Sequence, residues 1–389
     1  MNRSENCLKK LDRINKTLRH EEADRVPISD FFWLTFIDRW REELDLPKDA
    51  SPYSHYDLDW ICATPNLDPH IKNFEVIKST DDEEVVRTGF EAIVRHKKGA
   101  QMPYFEKFET DTVEKMLAFE FNDPWDERRY FKGGDNQLAG VSEVITRNSP
   151  PWIDSVKELH PDFPLYGSVC EGMEEGWRII GTENLLLWSA LHPDELEIFL
   201  NRVADFNLEL MKAQFKAADG MLDGFIIWGD VSYVNGMLFS PDTWRRFFKP
   251  GLKNMIDFSH SQGLPVIYHG CGNSTDIWPD LIDIGLDCYN PLEAKSGMDV
   301  IEKRQTFGHD MAFCGNIDVM KWADAPLDEL EAEVMRKMNA AKGGGFIVQS
   351  DHSVPSNVSA ERYEFVYNLV KKNGTYPLDL GQWDIPDMK

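Results

Sequence analysis

The sequence predicts an α/β protein built as a (β/α)8 TIM barrel, and three observations predict it. Eight short apolar runs recur along the chain, near residues 26, 58, 165, 224, 264, 286, 311 and 345. From the third onward they alternate with helical segments, the pattern of parallel strands joined by helices. Five successive runs end in polar or ionisable residues, as the mouth of such a barrel requires. A doubly wound open sheet shares the alternation. However, no GxGxxG follows a strand and no Walker-type GxxxxGKS or GxxxxGKT occurs.

Taken in order, Asp24-Arg25-Val26-Pro27-Ile28 ends a charged helical stretch and opens the first run, Val26 to Phe32. The second runs from Leu58 to Thr64. Between Phe74 and Thr110 the segments FEVIKST, EEVVRTGF, EAIVRHKK and PYFEKFE alternate apolar and polar residues. Period two argues antiparallel strands with one wet face. A polar stretch with Pro and Trp continues to about Pro164, so a β-rich excursion at about 70–160 is expected between strands two and three. Pro164 to Val169 reads as strand three, followed by a helical stretch from about Glu175 to Ala218, broken near His192-Pro193. Gly224 to Trp228 is apolar throughout, as a strand buried on both faces should be. Ser240-Pro241-Asp242 starts a helix, with Ser as N-cap, Pro in the first turn and an acid at the positive end of the dipole. Leu264–Tyr268, Leu286–Tyr289, Met311–Cys314 and Gly345–Gln349 repeat the strand form, and a last helix runs from near Ser359 to Asn373-Gly374. All 389 residues are expected to form a single barrel domain carrying the excursion.

Composition narrows the function. The chain has 67 acids against 42 bases, a formal net charge of −25. Such a surface repels phosphate backbones and anionic lipid, so no nucleic-acid or membrane partner is expected. The N-terminus has no apolar h-region and no run of 18 apolar residues occurs, so the reading is cytoplasmic. Six cysteines, at 7, 62, 170, 271, 288 and 314, show no disulfide spacing and no CxxC, which leaves free thiols or a metal site. There is no GxSxG for serine-based hydrolysis.

The chemistry is expected at the strand ends. Strand four runs into Gly229-Asp230, five into His269-Gly270-Cys271-Gly272, six into Asn290-Pro291-Leu292-Glu293, seven into Gly315-Asn316-Ile317-Asp318 and eight into Ser350-Asp351-His352-Ser353. His269 and Cys271, at i and i+2 in an extended segment, point to the same side. Imidazole and thiolate are common zinc ligands, and a catalytic zinc takes three protein ligands and one open position. The third must come from another strand end, with His352, Asp351 and Cys314 as candidates.

These residues resemble the uroporphyrinogen decarboxylase superfamily. The resemblance rests on Asn15-Lys16-Thr17-Leu18-Arg19-His20 with Asp24-Arg25-Val26-Pro27, on Gly229-Asp230 with Leu238-Phe239-Ser240-Pro241, and on Pro265 to Gly272. It continues through Gly285-Leu286-Asp287, Asn290 to Glu293, Gly315 to Asp318, and Gly344 to Ile347 with Asp351 to Pro355. It implies the same barrel. Within the superfamily, decarboxylases bind a substrate bearing eight carboxylates through an N-terminal Arg-rich segment. Here the segment after Pro27 reads ISDFFWLTF, with Arg39 and Arg41 only later, a poor trap for an octa-anion. A metal-free decarboxylase or lyase is therefore the alternative reading.

The favoured branch is the cobalamin-dependent methyltransferases, which carry zinc on a His-x-Cys pair and a Cys after strand eight. His269 and Cys271 match the pair, and His352 falls on or beside the position of the family's thiolate. The resemblance implies methyl transfer between a small methylated compound, an aryl methyl ether among the candidates, and cobalamin carried by a partner corrinoid protein. Zinc would sit on His269, Cys271 and His352. Asp230, Glu293, Asp351 and Asn316 are the candidate catalytic residues, managing a proton, orienting ligands or holding the substrate. Phe32, Trp33, Trp228 and Tyr233, with Phe31 beside them, are the candidate substrate-packing aromatics.

Overall fold

A computed structural model describes residues 2–100, 102–138, 145–386 and 388. In chain order its strands are β1 (Ile61–Cys62), β2 (Glu75–Ser79), β3 (Glu83–Arg87), β4 (Ala92–Lys97), β5 (Tyr104–Phe108), β6 (Gly134–Asn136), β7 (Thr146–Ser149) and β8 (Leu165–Cys170). They continue with β9 (Gly224–Trp228), β10 (Ser232–Tyr233), β11 (Gly236–Met237), β12 (Val266–His269), β13 (Cys288–Asn290), β14 (Ala312–Ile317) and β15 (Phe346–Ser350). Seven form a parallel sheet in the order β1-β8-β9-β12-β13-β14-β15. β8, β12, β13, β14 and β15 are buried along their whole length, which is why their sequences read as continuous apolar runs.

The first apolar run stands between the two ends of that sheet. Val348 N–H donates to Pro27 O at 2.9 Å, Ser29 N–H donates to Val348 O at 3.2 Å, and Asp59 N–H donates to Ile28 O at 2.8 Å. The stretch thus bridges to β15 on one side and to the entry of β1 on the other; seven of the eight expected strands form the sheet, and the first run joins it only by isolated bridges at Ile28 and Phe32. Its anchoring explains the charged motif before it. The Asp59 carboxylate, fully buried, accepts from Arg25 Nη1 at 2.7 Å, Arg25 Nη2 at 2.9 Å and Ile28 N–H at 2.7 Å, and pairs with Arg13 of the first helix. Arg13 also bridges Asp24. Removing one partner from such a buried set leaves an uncompensated charge, a loss of about 3–5 kcal/mol.

The helices start where side-chain chemistry allows. Ser240 and Ser359 cap their helices by accepting from the N–H groups of Thr243 and Arg362. Pro193 opens the long helix Pro193–Ala218, where its missing N–H costs nothing. No helix among the described residues is long and apolar enough to cross a membrane.

Between β1 and β8 lies the excursion, an antiparallel sheet in the order β2-β3-β4-β5 followed by the β6–β7 pair. β3 buries the neighbouring Val85 and Val86, on opposite faces, and β4 buries the alternate residues Ala92 and Val94, but the edge strand β2 is exposed at all five positions. The alternation there therefore marks strand geometry without a covered face. The sheet leans on the barrel through Phe105, whose ring meets Trp177 edge-on at 5.0 Å, and through Phe108 against Gly181.

Candidate functional site

Parallel register builds the site. His269, the last residue of β12, lies opposite Trp228 of β9 and Asn290 of β13. Residues paired this way share a face, so all three side chains point into the mouth. The rings of Trp228 and His269 are 4.7 Å apart. His269 Nδ1 stands 2.6 Å from Asn290 Oδ1, an oxygen that can only accept, so this nitrogen carries the proton. Asn290 is fixed in that orientation because its amide nitrogen donates to Cys314 O at 3.0 Å and Gln349 Oε1 at 2.9 Å. The lone pair of His269 is therefore on Nε2, facing Cys271 Sγ at 3.4 Å. Burial pushes the His269 pKa down to about 4, keeping the ring neutral, the form that ligates metals.

The loop behind Cys271 is held with equal care. Cys271 N–H donates to Asp230 Oδ1 at 2.9 Å, and Gly272 N–H donates to Glu293 Oε2 at 3.1 Å, an oxygen that also accepts from Ser296 Oγ at 3.0 Å. Gly272 has φ +81°, and a Cβ there would stand 2.7 Å from Tyr233 N and O of the β10–β11 hairpin. Its glycine thus lets the hairpin press against the loop. Burial first, and then the Glu174 carboxylate, raise Asp230 to about 6, and burial with Asp230 nearby pushes the Cys271 thiol up.

Two triads of metal-ligating side chains share Cys271: Asp230–His269–Cys271 and Cys271–Glu293–His352, each with its ligand atoms within 4.8 Å of one another. Two ligands on a tetrahedral zinc, at ordinary Zn–N and Zn–S lengths, lie about 3.6 Å apart. The 3.4 Å between Nε2 and Sγ matches that edge, and the hydrogen bond on Nδ1 is the outer partner that metal-bound histidines use. The donor set fits zinc.

The other expected residues are distributed more widely. His352 stacks on Trp33, rings 6.2 Å apart. Asp351 gives both oxygens to backbone, accepting from Val319 N–H at 2.9 Å and Ala294 N–H at 2.8 Å, and so ties three strand ends together. Asn316, fully buried with φ +73°, accepts from Val300 N–H and donates to Leu292 O and Met298 O. Cys314 Sγ points down the barrel at Gln349 Oε1, 2.7 Å away, and belongs to neither triad. Phe32 packs outside the sheet against Phe36, Tyr53 and Tyr363. Phe31 instead faces Trp228 at 5.4 Å and His269 at 6.1 Å. Tyr233 is half-exposed on its hairpin.

Sequence reasoning passed over one group. Glu171 follows β8, and Glu174, Glu175 and Arg178 lie on helix Gly172–Ile180; all four are buried. The spacing i, i+3, i+4, i+7 is that of a core-facing helical stripe, filled here with charges. That was the available signal. Only Glu174 is fully engaged, accepting from Trp177 Nε1 at 3.1 Å and pairing with Arg178. Glu171 has only the Tyr268 hydroxyl beside it, and both oxygens of Glu175, with Nε and Nη1 of Arg178, have no partner among the described residues. Asp68 Oδ2 and the whole side-chain amide of Gln137, from the excursion side, share that condition. Each such group costs about 1–3 kcal/mol when buried bare.

Comparison with known proteins gives a family. Residues 152–373 match the model for "Uroporphyrinogen decarboxylase (URO-D)". A methylated-thiol–coenzyme M methyltransferase of Methanosarcina mazei is 30% identical over 143 residues, 37% of this chain and 36% of that protein. A uroporphyrinogen decarboxylase of Myxococcus xanthus is 25% identical over 246 residues, 60% of this chain and 64% of that one. The chain thus matches between about a third and two thirds of these relatives' lengths. The solved structure of a methyltransferase from Methanosarcina mazei superposes with a TM-score of 0.62 at 17% identity, covering 93% of this chain and 98% of that one, which shows a shared fold.

Proposed function

The chain belongs to the uroporphyrinogen decarboxylase family, and from that premise we propose that it is a cytoplasmic zinc-dependent methyltransferase. It moves a methyl group between a small methylated compound and the cobalamin of a partner corrinoid protein. The observation that carries this reading is the His269–Cys271 pair, with Nε2 turned to Sγ at 3.4 Å by a hydrogen bond from Nδ1 to Asn290. His269 and Cys271 would hold the metal together with His352 or Glu293, both of which are close to Cys271. Bound there, zinc would supply Lewis acidity to the heteroatom that carries or receives the methyl group.

The remaining roles belong to the chain's own residues. Asn290 keeps Nε2 of His269 free of its proton. Asp230 holds the Cys271 amide with Oδ1, which leaves Oδ2 available to exchange a proton with the substrate heteroatom. Phe31 and Trp228 form an apolar wall beside His269, suited to the ring of an aryl methyl ether. The same mouth gathers Asp230, Glu174 and Glu293, an unfavourable field for the eight carboxylates of a porphyrinogen.

The test is elemental analysis of the purified chain followed by methylation of cob(I)alamin from a panel of methoxylated arenes and methyl thioethers. One zinc per chain with methylcobalamin formed from at least one donor is the expected outcome. No zinc after metal-replete growth, together with carbon dioxide release from an added porphyrinogen, would replace the reading with metal-free decarboxylation.

A further inference from the structure

We infer that Asp30 is a positioning residue for His352: as a neutral carboxylic acid it donates to Ser350 Oγ, and Ser350 in turn donates to the backbone carbonyl of His352, which fixes the loop that carries this candidate ligand. The inference rests on the proposed methyl transfer for the use made of His352, while its test reads the loop itself. Asp30 belongs to neither metal triad.

Counting protons requires the acid. Asp30 and Ser350 are both buried. Ser350 Oγ makes a short contact with Asp30 Oδ1 and lies 2.5 Å from His352 O. Two oxygens this close need a proton between them. A carbonyl only accepts, and a serine hydroxyl carries one proton. Ser350 can therefore supply one of the two contacts, and the proton of the other comes from Asp30. With that proton on Oδ1, Ser350 accepts it and gives its own to His352 O, so both contacts are satisfied. With Asp30 ionised, the hydroxyl turns to the carboxylate, the stronger acceptor. His352 O has no other donor among the described residues, and it would then face a bare hydroxyl oxygen. The rest of the carboxyl group agrees. Oδ2 accepts from Tyr363 O–H at 3.3 Å, as the carbonyl oxygen of an acid does, and Oδ1 accepts only a long bond, 3.2 Å, from Ser350 N–H.

The surroundings keep Asp30 in that form. Its titratable neighbours are Tyr363 of helix Ala360–Asn373, Tyr53 of helix Pro52–His55 and Cys314 of β14, none of them a cation. Burial raises Asp30 to about 8 and pushes all three neighbours up, so they stay neutral while Asp30 titrates. On the loop itself, burial pulls His352 down and raises Asp351 to about 6, so above pH 7 the first is neutral and the second ionised. The same loop is tied to the first apolar run by two further bonds. Val354 N–H donates to Phe31 O at 2.7 Å, and Trp33, on which His352 stacks, donates its N–H to Val354 O at 3.2 Å. Asp30 and Ser350 thus hold the near end of a loop whose far end is held by backbone.

The experiment is hydrogen–deuterium exchange of the full-length chain, treated with a chelator so that no metal holds the loop. Mass spectrometry reads the segment 351–355 at pH 7 and pH 9.5, each corrected for the intrinsic exchange rate. Wild-type protection should fall by about fivefold or more between the two, as Asp30 loses its proton. Asp30→Asn cannot ionise, and its amide N–H can donate to Ser350 Oγ as the acid does, so its protection should stay within about twofold. Ser350→Ala breaks the chain and should show the low protection at both pH values. A flat wild-type profile overturns the inference, and so does an equal fall in Asp30→Asn. Should the melting curve show Asp30→Asn to be poorly folded, Ser350→Ala decides: a fall with pH that survives there does not pass through Ser350 and overturns the inference as well. None of these results depends on zinc or on methyl transfer, so the two readings fail separately.

Discussion

On the β12–β13 side of the mouth, His269, Cys271, Asn290 and Glu293 each meet a specific partner, and those partners are held in turn by backbone. Across it, Glu175 on helix Gly172–Ile180 meets none among the described residues, and Glu171 at the start of that helix has only the Tyr268 hydroxyl. The first region is organised before anything binds, which suits a metal whose ligands must stand within a few tenths of an ångström of their final places. The second carries polar groups bare, at a cost in stability. The contrast teaches that polar groups buried a few residues from one another can be fully satisfied on one side of a barrel and left short on the other.

The largest effect should come from the metal pair. His269→Ala and Cys271→Ala should each lose the zinc and lower methyl transfer on the order of 10³-fold or more, several kcal/mol of lost Lewis acidity. The barrel should stay folded, as circular dichroism would report. His352→Ala and Glu293→Gln decide the third position: whichever loses zinc is the ligand, and retention by both would break the comparison by leaving the site with two.

Next comes the outer partner. Asn290→Ala should weaken zinc binding about 10–100-fold, because Nε2 is then no longer the enforced lone pair. Titration against a chromogenic chelator reads this directly. Asp351→Ala sharpens the comparison from the other side. It bares the amides of Val319 and Ala294, a loss of about 2–4 kcal/mol in urea unfolding, and should leave zinc content at one per chain. Loss of zinc there would return Asp351 to the metal site.

Much of this was legible beforehand, and for identifiable reasons. The seven strands of the parallel sheet were legible because parallel strands buried on both faces are continuous apolar runs, as in Phe346–Ser350 and Gly224–Trp228. The His269–Cys271 pair was legible because period two fixes which side chains share a face. The choice between Phe31 and Phe32 was not, since neighbouring aromatics on one strand face opposite ways and only the packing of helix Leu34–Glu43 outside decides which. Nor was the structural work of Asp351 and Asn316, whose partners come from segments distant in sequence. The charged stripe at 171, 174, 175 and 178 was readable by its spacing, but charge at helical period ordinarily signals a wet face. The excursion is a further case: its strands were legible, its attachment was not. We propose that it belongs to the barrel's own domain, because Phe105 and Phe108 pack on helix Gly172–Ile180. Limited proteolysis should then yield no stably folded fragment from residues 70 to 160.

The smallest effect expected is a pH dependence confined to the bare side. Burial raises Glu171 to about 8 and Asp68 to about 7, against ordinary values of 4.5 and 3.8. The folded chain therefore holds protons that the unfolded chain has released, and stability falls as pH rises through that window. Below pH 4 both states are protonated and the penalty vanishes; above pH 8 both are ionised and it is complete. A single group wholly within its window contributes a slope of about 1.4 kcal/mol per pH unit at most. Glu171→Gln cannot ionise, so its stability relative to wild type should grow from near zero at pH 4.5 to a clear gain at pH 8. Urea unfolding at four pH values measures it. A difference that is flat with pH would mean that Glu171 is ionised in the folded state and already satisfied. The two sides of the mouth would then no longer differ in the way the structure draws them.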